Sequence, residues 1–194
     1  MFLFVGGLRG RSPKGSKKMV EKIDAKLTFA IGGASSGKSS FAEGIATGME
    51  RPRIYIATAQ AYDAEMEAKI EAHMASRGPD WITVEAPFDV AAALADVPAD
   101  HVVVIDCLTL WLSNLLLKGA DLAGASATLR QAITVCRAPI VAVSNEVGQG
   151  IVPETALGRQ FRAAQGLLNQ QVAAQADRVA YVVAGLPLWL KGGP

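Results

Sequence analysis

The chain has 194 residues, enough for one domain with a full core, and 51% hydrophobic against 19% charged residues excludes an intrinsically disordered chain. A formal net charge of +1 gives no overall drive toward nucleic acid or an anionic membrane surface, and no apolar run reaches transmembrane length. The charge is uneven, however: residues 1–26 hold seven basic and two acidic residues, which leaves the rest net acidic.

The start of the chain reads as a basic extension over residues 1–26, glycine-rich, poor in helix formers and expected to be flexible. Phe2-Leu3-Phe4-Val5 is too short for a signal-peptide core and has no basic residue before it. A second methionine, Met19, precedes the first strand, and the ordered start is expected near it. Residues 27–194 are expected to form a single domain. Cys107 and Cys136 show no metal-ligand spacing, so a reduced, cytoplasmic setting is expected.

Leu27 to Ile31 is apolar and partly β-branched, the pattern of a buried strand. It runs into Gly32-Gly33-Ala34-Ser35-Ser36-Gly37-Lys38-Ser39, which matches the P-loop pattern at every fixed position and is followed by Phe41 and Ile45 at helical spacing. Glycines in such a loop let backbone N–H groups turn toward one anion, and the helix N-terminus adds its dipole. Lys38 is placed to reach the β- and γ-phosphates of ATP or GTP, and Ser39 to ligate Mg²⁺.

Arg53 to Ala57 reads as a second strand. Asp63 to Arg77 reads as a helix, with Met66, Ile70 and Met74 four residues apart and Gly78-Pro79 stopping it. Its Lys69, His73 and Arg77 share one face, which suits either a triphosphate or plain solvent. An imidazole that is partly neutral near pH 7 is also a potential nucleophile. Trp81 to Glu85 reads as a short strand, and Asp89 as the cap of an alanine-rich helix. His101 to Asp106 is a core strand that ends in a carboxylate, suited to hold Mg²⁺, to cap the following helix, or both. His101 itself reads as a surface residue.

Helices are expected over Leu108–Leu117 and Leu122–Arg137, a strand over Pro139–Ser144, a loop over Asn145–Pro153, a helix over Thr155–Gln175 and a last strand over Arg178–Val183. Glu146 stands at the site end of the sheet, either orienting a reactant or capping its own loop. Strands alternating with helices, apolar on both faces, imply an α/β fold with a mostly parallel sheet flanked by helices on both faces. Ligands then bind beyond the carboxyl ends of the strands.

The P-loop, Tyr55-Ile56-Ala57-Thr58, Lys69-Ile70-Glu71-Ala72-His73, Asp106 to Leu115 and Ser144 to Pro153 occur together in an order that resembles the bifunctional adenosylcobinamide kinase / adenosylcobinamide-phosphate guanylyltransferase family. Leu157-Gly158-Arg159-Gln160-Phe161-Arg162, Asn169-Gln170 and Val182-Val183-Ala184-Gly185 extend the resemblance over about Lys26 to Lys191. The resemblance implies a RecA-like P-loop NTPase sheet and a homotrimer. It also implies phosphorylation of adenosylcobinamide, then GMP transfer from GTP to the resulting phosphate through a guanylylated histidine. His73 matches the family's nucleophile. By the same resemblance Ala57, Thr58, Ala59, Met74, Ala75, Ser76, Arg77, Glu85 and Asp106 join the P-loop in lining the nucleotide site, with Ser39 and Asp106 toward the metal. No nucleic-acid partner and no membrane span are implied. Ser35 stands where family loops often carry Arg, Ala72 where relatives often show a basic or polar side chain, and the basic extension has no family counterpart. A plain small-molecule P-loop kinase would use Lys38, Ser39 and Asp106 without His73. A RecA-like ATPase acting on a macromolecule would be expected to show basic stripes in the body, which is net acidic.

Overall fold

The computed structural model describes residues 25–60 and 77–193. The expected extension, apart from its last two residues, and the expected helix from Asp63, apart from Arg77, lie outside the described residues. Seven strands form one sheet: β1 (Leu27–Gly32), β2 (Arg53–Ala57), β3 (Trp81–Glu85), β4 (Val102–Asp106), β5 (Ile140–Asn145), β6 (Arg178–Val183) and β7 (Leu186–Lys191). Their order is β3-β2-β4-β5-β1-β6-β7, with β1 to β6 parallel and β7 antiparallel to β6. The described helices are α1 (Lys38–Gly48), α2 (Val90–Ala95), α3 (Leu108–Leu117), α4 (Leu122–Val135) and α5 (Ala156–Gln175).

Alternation along each strand sorts the core into two layers. Leu27, Phe29 and Ile31 of β1, Ile54 and Ile56 of β2, and Val103 and Ile105 of β4 face Leu94, Leu108, Leu112, Leu129, Ile133, Leu168 and Val172 from α2 to α5. Fully burying such a side chain contributes about 1.5–3 kcal/mol, so this layer holds much of the fold. Ala30, Tyr55, Val102, Val104, Val141 and Val143 face the other way, against Ala42 and Ala46 of α1. Two alanines on the buried face of α1 let it approach the sheet closely, above β1, β4 and β5.

Two expectations are corrected. Arg178–Val183 is not the last strand: a hairpin through Ala184 (φ 51°) and Gly185 (φ 78°) returns as β7. Pro187 removes one ladder donor, which is tolerated because β7 is an edge strand. The helix expected to reach Arg137 ends at Val135, with the backbone extended from Cys136. The register fixes the site end of the sheet. Glu85, Ala57 and Asp106 form one row across β3, β2 and β4, and Gly32 pairs with Asn145 across β1 and β5.

Candidate active site

The phosphate loop leaves β1 at Gly32 and enters α1 at Lys38. A Cβ on Gly32 would lie 2.3 Å from the Val182 carbonyl oxygen, so only glycine lets β1 pass that close to β6. Gly37 caps α1 at φ 91°, and a Cβ there would meet Gly185 Cα at 2.9 Å. The Gly185 amide donates to Ser36 O at 2.8 Å, so the β6–β7 turn braces the loop from outside. Ala34 and Ser35 are exposed, while Gly33, Ser36 and Ser39 are half-buried.

Lys38 is buried, and its ammonium donates to Gly33 O and, at 3.3 Å, to Ser36 Oγ. Burial holds its pKa below the ordinary lysine value, with Cys107 and Asp106 opposing that shift. Its charge therefore has a strong interest in a bound anion.

Asp106 arrives by periodicity. Val102 and Val104 face α1, so the third residue of that alternating series does too, and its Oδ2 accepts from Ser39 Oγ at 3.1 Å. The same oxygen accepts from the Tyr55 hydroxyl. The helix that follows is capped by Cys107 without a side-chain bond, so the capping alternative for Asp106 is not realised. Tyr55 is buried; burial first, and the Asp106 carboxylate next, push its pKa far above the usual phenol value, so it keeps its proton and stays a donor. Sequence reading did not single out this hydroxyl.

Arg77 lies with its guanidinium 3.6 Å over the Tyr55 ring and 3.9 Å from Glu43 of α1, its side chain 3% exposed. Its guanidinium is thus packed against Tyr55 and Glu43 rather than presented as an open cation. Thr58 is also enclosed: its hydroxyl donates to Cys107 O at 2.8 Å and accepts from Cys107 N at 2.7 Å. Its carbonyl accepts from Asn114 Nδ2 at 2.8 Å. The Thr58 side chain thus latches β2 to the start of α3 rather than facing a ligand. Ala57 and Ala59 are half-buried beside it, and Glu85 is exposed at the end of β3. His73, Met74, Ala75 and Ser76 lie outside the described residues.

Glu146 takes the capping alternative, its Oε1 accepting from the Gly148 amide, while its own amide donates to Gly32 O at 2.9 Å. Arg162 of α5 donates to Gly148 O, and Asn169 Nδ2 to Asn145 O at 3.0 Å. Behind this loop Ser144 Oγ donates to Asn169 Oδ1 at 2.7 Å and accepts from Gln165 Nε2 at 2.9 Å. Residues from β5 and α5 thus hold the strand-end loop in place. His101 sits at the opposite end of β4, paired with Asp100.

Among the described residues no cluster of three or more His, Cys, Asp or Glu could hold a metal. Mg²⁺ does not require one: it is commonly bound through one or two protein oxygens, substrate phosphates and water. The adjacent hydroxyl and carboxylate of Ser39 and Asp106 are hard oxygen donors of that kind.

A parallel sheet feeding a glycine loop into a helix, with a buried Lys, a Ser and a strand-end Asp converging there, defines a P-loop nucleoside-triphosphate-binding protein. The RadB recombinase shares the fold at a TM-score of 0.50 and 13% identity, over 80% of this chain and 73% of that one. A family model described as cobinamide kinase / cobinamide phosphate guanyltransferase matches residues 28–190. The bifunctional adenosylcobalamin biosynthesis protein CobP of Pseudomonas aeruginosa is 43% identical over 167 residues, 84% of this chain and 96% of its own. The corresponding CobU protein of Escherichia coli K12 is 39% identical over 181 residues, 85% of this chain and 99% of its own. The chain belongs to the cobinamide kinase / cobinamide phosphate guanyltransferase family. It is a transferase of cobalamin biosynthesis, with kinase and guanylyltransferase activity.

Proposed function

We propose that the chain phosphorylates the aminopropanol hydroxyl of adenosylcobinamide from ATP or GTP, and then moves GMP from GTP onto that phosphate through His73. In the first step the hydroxyl oxygen bonds the γ-phosphorus and the nucleoside diphosphate leaves. In the second, an imidazole nitrogen of His73 bonds the α-phosphorus of GTP, the α–β bridging bond breaks and pyrophosphate departs. The phosphate of adenosylcobinamide phosphate then attacks the guanylylated histidine, freeing the imidazole and giving adenosyl-GDP-cobinamide.

The observation that carries this reading is the convergence of Lys38, Ser39 and Asp106 at the mouth of a glycine loop, in a member of a two-activity family. Lys38 would hold the β- and γ-phosphates, with Gly32 to Gly37 supplying backbone amides. Ser39 and Asp106 would hold Mg²⁺, which neutralises phosphate charge when bound. Ala57, Ala59 and Glu85 would line the nucleotide from the β2 and β3 ends, with Met74, Ala75 and Ser76 from the segment beside His73. Arg77 and Thr58 would contribute by holding those ends rather than by free side chains. Four residues of chain, about 14 Å at full extension, tether His73 to the pinned Arg77. A RecA-like sheet, to which the placement of β5 between β1 and β4 lends support, a homotrimer and a cytoplasmic setting complete the proposal.

Incubation with α-labelled GTP tests it. Wild type should acquire an acid-labile, alkali-stable label, and His73→Ala should not. A wild type that forms no adduct defeats the histidine route and favours a plain P-loop kinase using Lys38, Ser39 and Asp106.

A further inference from the structure

The Tyr55 hydroxyl has no counterpart in the P-loop motif, yet it contacts the carboxylate on which the metal reading depends. Two hydroxyls among the described residues, those of Ser39 and Tyr55, donate to the Asp106 carboxylate, and both use Oδ2. Two donors on one oxygen fix the rotation of the carboxylate plane and leave Oδ1 for other partners. The tyrosine is itself immobilised. It stands in β2 directly opposite Val104, on the strand that carries Asp106, and its ring meets Trp81 edge-on at 6.0 Å between centroids. The Arg77 guanidinium covers it at 3.6 Å and reaches Glu43 on α1.

We infer that Tyr55 is a positioning residue for the metal-nucleotide complex: its hydroxyl orients Asp106 for Mg²⁺, while its ring, held by Arg77 and Trp81, fixes the hydroxyl. The inference rests on the reading that Ser39 and Asp106 face the metal. Groups that orient a metal-binding side chain commonly change metal affinity by about 10–100-fold when removed. Tyr55→Phe keeps the ring, and with it the contacts to Arg77 and Trp81, and removes only the donor.

The test uses the full chain with a non-hydrolysable GTP analogue, titrated once in EDTA and once with Mn²⁺ as a paramagnetic probe of the Mg²⁺ site. Tyr55→Phe should weaken Mn²⁺ binding in the nucleotide complex by about 10-fold and leave metal-free nucleotide affinity within about twofold. A loss of both affinities would make Tyr55 a purely structural residue, and unchanged Mn²⁺ affinity would remove any role for it; either result overturns the inference. Asp106→Asn separates the premise from the inference. If it too leaves Mn²⁺ binding unchanged, the metal reading itself fails. If it abolishes Mn²⁺ binding while Tyr55→Phe does not weaken it, only the role of Tyr55 fails. Thermal unfolding of both variants without ligand checks that they are folded.

Discussion

Gly32 and Gly37 show how little room the phosphate loop leaves for substitution. At Gly32 the obstacle is a backbone carbonyl, which cannot rotate away as a side chain would. Gly32→Ala should therefore cost about 1–3 kcal/mol in urea unfolding and move β6 relative to β1. Lys38 is a different case, because its burial matters to both charge and binding. Lys38→Met should weaken triphosphate binding by roughly 10–100-fold, the value of one charged hydrogen-bonding partner, as read by calorimetry. It should also change the pH dependence of stability. With its pKa lowered on folding, Lys38 leaves the unfolded chain holding more protons as pH rises through the folded value. Unfolding free energy then rises with pH through this group. Cys107 and Tyr55, whose pKa values are raised chiefly by burial, act in the opposite sense. The difference between wild type and Lys38→Met isolates the lysine: as pH rises toward the ordinary lysine value it should move in favour of wild type, and saturating triphosphate should flatten it.

At the level of elements, α2, α4 and α5 start on short side chains that the sequence displays openly. Asp89 Oδ1 accepts from Ala92 N at 2.9 Å and Thr155 Oγ1 from Gly158 N at 3.1 Å. Asp89→Ala should cost about 1 kcal/mol, measured by chemical denaturation. Five strands and the span Leu108–Leu117 are readable from apolar runs because their residues line the core, while β3, with no fully buried residue, is readable only from its short run Trp81 to Glu85. β7 is not readable in that way. Its turn is Ala184-Gly185 rather than an asparagine-glycine pair, Pro187 argues against a strand, and most of its residues are exposed. The site divides similarly. Lys38 and Ser39 are legible because one short loop must carry both, and Asp106 because it ends an apolar strand. Tyr55 and Thr58 act across strand register, on partners 51 and 49 residues away, which no local pattern encodes. Thr58→Val, nearly isosteric, should cost about 1–3 kcal/mol by leaving the Cys107 amide without its partner, as thermal unfolding would register.

Taken whole, the described residues form a mostly parallel sheet with the proposed site at the loops of one end, while its last strand closes one side with an apolar edge. Leu186, Leu188 and Leu190 are 72%, 61% and 62% exposed, an unusual load of leucine for an edge strand of the described sheet. Such a surface favours association, and the proposed homotrimer predicts a sedimentation-equilibrium mass of three times the 20.3 kDa chain; a single-chain mass would overturn it. No helix among the described residues is long and apolar enough to cross a membrane. The bracing of Ser36 by Gly185 has a further consequence for where the functional unit ends. Stopping the chain after Val183 would leave Lys38, Ser39 and Asp106 in place, yet it would remove the Gly185 amide that braces Ser36. On the proposed site, the shortest piece expected to hold a nucleotide would therefore be set by a C-terminal hairpin with no chemistry of its own, and damage at that tail should present itself as a failure to bind.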